Sequence, residues 1–526
     1  MQGNSARENR ETPSTPDSHD GAGRLEKAMS RPSSAHVDGE ADGRVVPTKG
    51  PNEDAGESTE VLEGRRPTKE NTEQATAPRT QRRTGESSAL LGVREVARRD
   101  KRARFTALLH HVTVAQLQVS FYALKREAAP GVDGVTWTEY ETDLDTRLRA
   151  LHGRVHQGTY RAQPSKRAYI PKPDGRQRPL GIAALEDKIV QHAVGTVLNQ
   201  IYEEDFVGFS YGFRPKRSPH HALDALWVGL MRKQVNWVLD ADIRGFFDTI
   251  DHGWLKKFVE HRIADRRILR LIQKWLRAGV SEDGEWSKTE VGTPQGAVIS
   301  PLLANVYLHY VFDLGAHRWR RQHAGGDMIV VRYADDIVVG FEHRRDAERF
   351  LAAWRARLAA FGVELHPDKT RLIEFGRHAA DHRKARGESK PETFDFLGFT
   401  HICGTTRKTG RFIVKRQTIR RRFSAKLAVI KEALRRRWHE PAPMTGRWLR
   451  AVVQGYFNYH AVPGNMDRLN SFRTQVMWRW YRALRRRGPR RRLTWVRFLR
   501  LVDVWIPSAR ILHPHPNVRF DAMHPR

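Results

Sequence analysis

The chain is almost without cysteine: Cys403 is the only one in 526 residues. No internal disulfide can form, and a cysteine-built zinc cluster is excluded. There is no run of 18 apolar residues, so no helical membrane span is expected. The basic residues near the N-terminus are followed by no apolar core, which argues against a secretory signal. A cytosolic or nucleoid-associated location is the default expectation. Aromatic residues are missing from the start of the chain, the first being Phe105. Residues 1–95 are rich in Ser, Thr, Pro, Gly, Glu and Arg. They hold too little apolar surface to offset chain entropy and are expected to form a disordered polar tail. Acids are scarce at the other end. Residues 401–526 carry 30 Lys and Arg against 5 Asp and Glu. That segment therefore supplies +25 of the formal +32, while residues 1–100 carry −2 and residues 101–400 carry +9. Such an excess calls for a polyanionic partner, nucleic acid first.

What is present reads as mixed α+β followed by all-α structure, and 526 residues suggest several domains. Order is expected from about Ala97. Residues 102–127 read as helices, with Leu117, Phe121 and Leu124 on one face. A Pro-Gly-Val-Asp-Gly turn occupies 130–134, a short strand 167–171, and a helix 185–202. A strand at 236–243 precedes a helix from about 251, and another helix opens near Ser300. A helix at 344–361 and strand pieces near 363–375 and 394–402 follow. Beyond 415 nearly everything reads as helical and basic.

The most pointed local feature is Tyr333-Ala334-Asp335-Asp336 between two β-branched runs, 328–331 and 337–341. The runs read as strands of a tight hairpin. A buried hairpin has no structural use for two carboxylates at its tip. A second acidic strand end lies at Asp240-Ala241-Asp242, ahead of Arg244-Gly245-Phe246-Phe247-Asp248. Carboxylates from separate strands converging on two cations are what metal-assisted phosphoryl transfer requires, and Mg²⁺ prefers such oxygen ligands. Asp240 and Asp242 share a face by strand alternation, so geometry does not choose between them. Asp248 and Asp251 read as helix N-caps. Lys172-Pro173-Asp174-Gly175-Arg176-Gln177-Arg178 reads as a basic hairpin whose cations can meet a triphosphate. In Thr293-Pro294-Gln295-Gly296, Gly296 permits close backbone approach to a ligand, and Ser300-Pro301 opens a helix.

Taken in order, these motifs resemble bacterial group II intron-encoded proteins, reverse transcriptases with maturase function. Pro130–Gly134, the Lys172–Ile182 hairpin and Ser210-Tyr211-Gly212-Phe213-Arg214-Pro215 come first. Ala241–Asp248, Thr293–Gly296, Tyr333–Asp336 and Phe396-Leu397-Gly398-Phe399 complete the series. The resemblance covers about 105–526. It implies a right-hand polymerase with fingers and palm over 96–405 and thumb over 406–440. A helical maturase domain would occupy 441–526. Asp242, Asp335 and Asp336 would be the catalytic carboxylates, holding two Mg²⁺ ions. Lys172, Arg178, Phe247, Gln295, Gly296 and Lys369 would contact the nucleotide, with Phe247 excluding a ribose 2′-hydroxyl. Phe396–Phe399 would grip the primer.

In the basic C-terminal quarter, Arg420, Arg421, Arg422, Arg435, Arg436 and Arg437 are expected to contact nucleic acid. So are Arg485, Arg486, Arg487, Arg490, Arg491 and Arg492, since cations attract phosphates without regard to sequence. Trp478, Trp480, Tyr481, Trp495 and Trp505 read first as core. His513 and His515 read as structural, and no His-Asn-His endonuclease domain is expected before Arg526. The implied partners are a group II intron RNA, target DNA and primer, and deoxynucleoside triphosphates, in a bacterial cytoplasm. Two other readings are a splicing cofactor with dispensable polymerization and a domesticated enzyme serving a host task such as phage defence.

Overall fold

Hydrophobic spacing sets helices early in the described chain. The computed structural model describes residues 79–171, 177–282, 285–287, 291–293, 296–487 and 493–524, with side chains from 89 onward at its N-terminal end. Residues 1–78 of the expected tail lie outside these. Helix α1 (Arg79–Arg99) begins well before the expected start of order. It buries Val93 and Ala97 against α5 (described below) and pairs Arg94 Nε with Glu204 at 2.6 Å. The expectation of helix from 102 also fails. Phe105 instead bridges to Ile263, and the Asp265 carboxylate accepts from the backbones of Leu108 and Leu109 at 2.7 and 3.0 Å. These long-range partners outcompete the local helix; only a single 3₁₀ turn at Leu109–His111 forms before α2 (Val114–Ala123).

Helices α3 (Trp137–Glu141) and α4 (Leu144–Gln157) lead to strands β1 (Ser165–Pro171) and β2 (Gln177–Ile182). Helices α5 (Leu185–Asp205) and α6 (Pro219–Arg232) then precede β3 (Trp237–Asp242). Three helices follow: α7 (Phe246–Thr249), α8 (His252–Arg262) and α9 (Arg266–Arg277). Strands β4 (Val280–Glu282) and β5 (Glu285–Ser287) extend the first hairpin into a four-stranded sheet of order β2-β1-β4-β5. Helix α10 (Ser300–Leu308) runs through a π-turn at His309–Asp313 into α11 (Leu314–Gln322).

The central sheet comes from β3, β6 (Met328–Tyr333), β7 (Asp336–Phe341) and β8 (Arg371–Glu374), in the antiparallel order β6-β7-β3-β8. Strand alternation gives it two faces. Leu239, Ala241, Ile337 and Val339 join the large core with α5, α8, α10 and α12 (Arg344–Ala360). Val238, Val331, Tyr333 and Val338 join a second core under α6. The short helix α13 (Ala379–Ala385) leads to β9 (Phe394–Phe396), β10 (Phe399–Thr405) and β11 (Phe412–Thr418), which form a third sheet.

The expected basic helices follow as α14 (Arg420–Arg436), α15 (Ala442–His460), α16 (Met466–Arg485) and α17 (Trp495–Trp505). They share a third core built on Leu434, Leu449, Phe457, Phe472, Trp480 and Phe498. Trp480 is fully buried and donates to Thr445 Oγ1 at 3.3 Å. Trp478 is half open and stacks on Trp495 with ring centroids 4.7 Å apart. The last helix, α18 (Pro516–Met523), returns to pack on α6. There His513 stacks on His220 at 3.9 Å, and His515 caps α18. Among the described residues no helix is long and apolar enough to cross a membrane.

The buried pair of Arg416 Nη1 and Asp224 Oδ1, 2.8 Å apart, joins β11 to α6, and Arg519 of α18 lies 3.4 Å from the same carboxylate. Removing one partner of a buried pair costs about 3–5 kcal/mol. Arg416→Leu is expected to destabilise toward the lower end of that range, because Arg519 still serves Asp224. Chemical denaturation of the full chain measures this, and an unchanged midpoint would contradict it.

Candidate active site

The acidic hairpin turns on two residues. Tyr333 pairs with Asp336, leaving Ala334 and Asp335 as the tip. Ala334 sits at φ 55°, a left-handed value costly for a residue with a Cβ. A buried arginine from the same hairpin holds this strained tip. Arg332 is fully buried, and its Nε and Nη2 donate to both oxygens of Asp313 at 2.7 and 2.6 Å. Its Nη1 donates to Asn305 Oδ1 at 3.0 Å and to the Ala334 carbonyl at 3.2 Å. Its Nη2 also reaches Ser210 Oγ at 2.7 Å. The π-turn adds one residue to the α10–α11 helix just where Asp313 meets the guanidinium. Burial pushes the Asp313 carboxyl up, and the charge of Arg332 opposes this.

The same network fastens the segment after α5. Asn305 Nδ2 donates to the Gly212 carbonyl at 2.7 Å, and Tyr211 N donates to the Arg332 carbonyl at 2.8 Å. Gly212 lies so close to the hairpin tip that a Cβ there would stand 2.3 Å from Ala334 N, so only glycine fits. Buried Arg214 closes the loop on itself through Glu203 at 3.0 Å and the carbonyls of Val207 and Ser210 at 2.8 Å each. The Ser210–Pro215 motif is thus a clamp behind the acidic tip.

Sheet register brings the acids together. Asp242, the last residue of β3, pairs directly with Asp336, the first of β7. Both lie on the face that carries Val238 and Val338. Asp336 keeps its outer side open but is otherwise surrounded by protein. Desolvation, then the negative charges of Asp335 and Asp242, push its carboxyl up to about 7. Asp335 is also raised, by desolvation and by Asp242, with Arg178 and Lys369 pulling the other way. Lys369 Nζ contacts Asp242 Oδ2. Asp240 faces the same way but is drawn off by Arg371 at 3.4 Å, and burial raises it to about 6.

These groups fit a hard divalent cation. They offer only oxygen donors, and their mutual repulsion calls for positive charge. Among the described residues no group of three or more His, Cys, Asp or Glu is arranged to hold a metal by itself. Mg²⁺ commonly keeps ligand positions for substrate phosphates and water.

Of the other expected site residues, Arg178 lies close enough to Asp335 to lower its carboxyl. Phe247 is half-buried in α7, and its carbonyl accepts from Thr293 N at 2.7 Å. Gly296, at φ 110°, abuts the Gly181 carbonyl of β2, so the first sheet and this loop touch. Arg178 is half-buried on β2. Lys172, Pro294, Gln295, Arg490, Arg491 and Arg492 lie outside the described residues. Asp251 caps α8 by accepting from Trp254 N at 2.7 Å, as expected. Asp248 instead lies within α7, so it is not a cap. The Phe396–Phe399 turn, with Leu397 at φ 45°, is braced by Tyr459 Oη donating to the Leu397 carbonyl at 2.8 Å. Arg422, in the first turn of α14, approaches this turn and lowers the Asp336 carboxyl.

Of the remaining C-terminal arginines, Arg420, Arg421, Arg435, Arg436, Arg485 and Arg486 are exposed. Arg437 and Arg487 are half-buried and have local partners. Arg437 pairs with Glu440 at 2.7 Å, and Arg487 donates to the carbonyls of Glu440 and Arg437.

Comparison with known proteins gives the family. The pattern of the reverse transcriptase (RNA-dependent DNA polymerase) family matches residues 170–401. Protein YkfC of Escherichia coli K12 is 36% identical over 293 residues, which is 50% of this chain and 77% of that protein. The group II intron-encoded protein LtrA of Lactococcus lactis subsp. cremoris is 41% identical over 169 residues, 31% of this chain and 27% of LtrA. An uncharacterized 91 kDa protein in the cob intron of Schizosaccharomyces pombe is 42% identical over 146 residues, 28% of this chain and 18% of that protein. The match therefore spans less than a third of these two intron relatives. The chain belongs to the reverse transcriptase family, the RNA-directed DNA polymerases. Within that class it is homologous to group II intron-encoded proteins.

Sequence reading missed Arg332 and Asp313, and took Ser210 and Ala334 only as members of motifs. The available signal was a lone cation inside the otherwise apolar strand Met328–Tyr333. Arg332→Lys keeps the charge but loses the planar fork. Small displacements of reacting groups are costly, so the single-nucleotide extension rate is expected to fall on the order of 10²-fold, with the nucleotide KM within about twofold. Single-turnover kinetics beside a melting curve test this. An unaltered rate in a folded variant would contradict it.

Proposed function

We propose that this polymerase adds nucleotides by two-metal nucleotidyl transfer at Asp242, Asp335 and Asp336. We further propose that it works bound to a group II intron RNA, whose splicing it assists and which it copies during mobility. The observation that carries the reading is the cross-strand pairing of Asp242 with Asp336, with Asp335 at the adjoining tip. In this reading residues 96–405 are fingers and palm and 406–440 the thumb. Residues 441–526 form a helical maturase domain.

The three aspartates would hold two Mg²⁺ ions. When bound, these supply Lewis-acid activation of the primer 3′-hydroxyl and charge stabilisation of the pyrophosphate leaving group. The remaining work belongs to side chains. Lys172 and Arg178 would bind the triphosphate, with Arg able to grip two oxygens at once. Lys369 would neutralise part of the acidic cluster between turnovers, which its contact with Asp242 supports. Phe247 would pack under the sugar and exclude a 2′-hydroxyl. Gln295 and Gly296 would border the base pair. The turn at Leu397 and Gly398 would carry the primer strand, and its bracing by Tyr459 supports a rigid grip. The exposed arginines of α14 and α16, with Arg490–Arg492, would take intron RNA through its phosphates.

Two experiments separate the parts of this reading. Asp335→Ala is expected to abolish primer extension on an RNA template while leaving protein-assisted splicing of the cognate intron intact. Extension at the normal rate would refute the catalytic assignment, and equal loss of splicing would refute separable roles. Phe247→Ala is expected to raise ribonucleotide over deoxyribonucleotide use roughly tenfold or more, because the steric discrimination is removed. Unchanged kcat/KM ratios would contradict that role.

A further inference from the structure

We propose that the cleft between α9 and the β4–β5 hairpin is a separate binding site for single-stranded nucleic acid. It would hold the phosphates on a row of cations and one unpaired base on Trp286. The cleft shares no residue with the acidic site or with the C-terminal arginines, so the inference stands apart from the reading above.

The cleft is open, about 540 Å³, and lined by Arg161, Arg270, Gln273, Lys274, Arg277 and Trp286, among others. No carboxylate lines it among the described residues. Its charge follows from the sequence of α9. That helix buries Ile268, Leu271, Ile272, Trp275 and Leu276. Helical spacing then turns Arg270, Gln273, Lys274 and Arg277 to one outer face. Asp265, the acid at its N-cap, is buried and occupied by the backbone N–H groups of Leu108, Leu109 and Arg267. Arg161, Arg270 and Arg277 have no ion-pair partner among the described residues. Lys274 donates to the carbonyls of Gly158 and Tyr160, which fixes its ammonium without neutralising it. Desolvation, then the charges of Arg270 and Arg161, lower its affinity for a proton. Four cations thus crowd one opening with no counter-charge lining it among the described residues. Phosphates supply that charge regardless of sequence.

The second, independent observation is Trp286. It is 58% exposed, yet it is held in place. Its Nε1 donates to the Ala278 carbonyl at 3.0 Å. The indole rests against Gly279, where a Cβ would stand 2.6 Å from Nε1 and where φ is 79°. A Cβ would also stand 2.4 Å from the Ser287 carbonyl, so strand pairing, the positive φ and the seated ring all call for glycine here. An exposed indole locked beside unpaired cations is the combination that tracks single strands: cations follow the backbone and an aromatic ring takes a base. A duplex keeps its bases stacked inside and cannot use the ring.

Photocrosslinking of the full chain tests this. The probes are a 20-nucleotide unstructured RNA carrying 5-iodouridine and its DNA counterpart, followed by peptide mapping. The expected result is an adduct at Trp286 that excess unlabelled single strand removes and excess duplex does not. In Arg270→Gln/Arg277→Gln the adduct yield should fall at least fivefold, with the melting temperature and primer-extension rate unchanged. Trp286→Phe should restore crosslinking at the same position, whereas Trp286→Ala should abolish it. Absence of any adduct in residues 278–287, equal competition by duplex, or a yield indifferent to the arginine changes would each overturn the proposal. None of those outcomes bears on Asp335, so failure here is distinguishable from failure of the polymerase assignment.

Discussion

The geometry of the acidic hairpin depends on one buried guanidinium. Arg332 has no solvent to satisfy it, so every donor must find a protein acceptor, and an unpaired buried charge costs several kcal/mol. Its acceptors come from four parts of the chain: Asp313 in the π-turn, Asn305 on α10, Ser210 after α5, and Ala334 in the hairpin itself. Satisfying one residue therefore fixes the relative position of four segments. It also offsets the strained backbone at Ala334, and that strain is what sets Asp335 at the tip. The hairpin tip is held by a polar core behind it, which leaves the outer side of Asp336 open.

Electrostatics divides the molecule in the same direction. Asp242, Asp335 and Asp336 are forced together by register against their mutual repulsion, and the nearby cations Lys369, Arg178 and Arg422 only partly compensate. Away from this cluster the excess is positive, through the exposed arginines of α14 and α16 and the α9 cleft. A polyanion spread over the outer surface and a cation-demanding pocket within suit a polymerase of nucleic acid. Both follow from where the strands and helices end.

Much of this was legible in the sequence, for reasons of period and composition. Strand alternation set Asp242 on one face with Asp240, and the β-branched runs around Tyr333–Asp336 announced the hairpin. The helices at 185–202 and 344–361 followed from apolar spacing and appear as α5 and α12. Other features were hidden because they depend on contacts distant in sequence. The segment at 102–108 has helical spacing but is captured by Asp265, some 157 residues away. Only the family resemblance favoured Asp242 over Asp240; the Arg371 that engages Asp240, 131 residues on, was not foreseen. Arg332 looked like an exception within a strand until Asp313 came into view. Motif reading singled out the acidic hairpin and its partner strand, which register brings together, but it could not say what braces them.

The most direct measurement compares Asp242→Asn with Asp240→Asn in pre-steady-state addition of one deoxynucleotide to a DNA primer on an RNA template. Register places Asp242 against Asp336, while Asp240 is engaged by Arg371. The account predicts loss of addition to background for Asp242→Asn and a rate within about threefold of wild type for Asp240→Asn, since only the former removes charge from the reacting centre. Comparable rates for the two variants, or the reverse order, would contradict it.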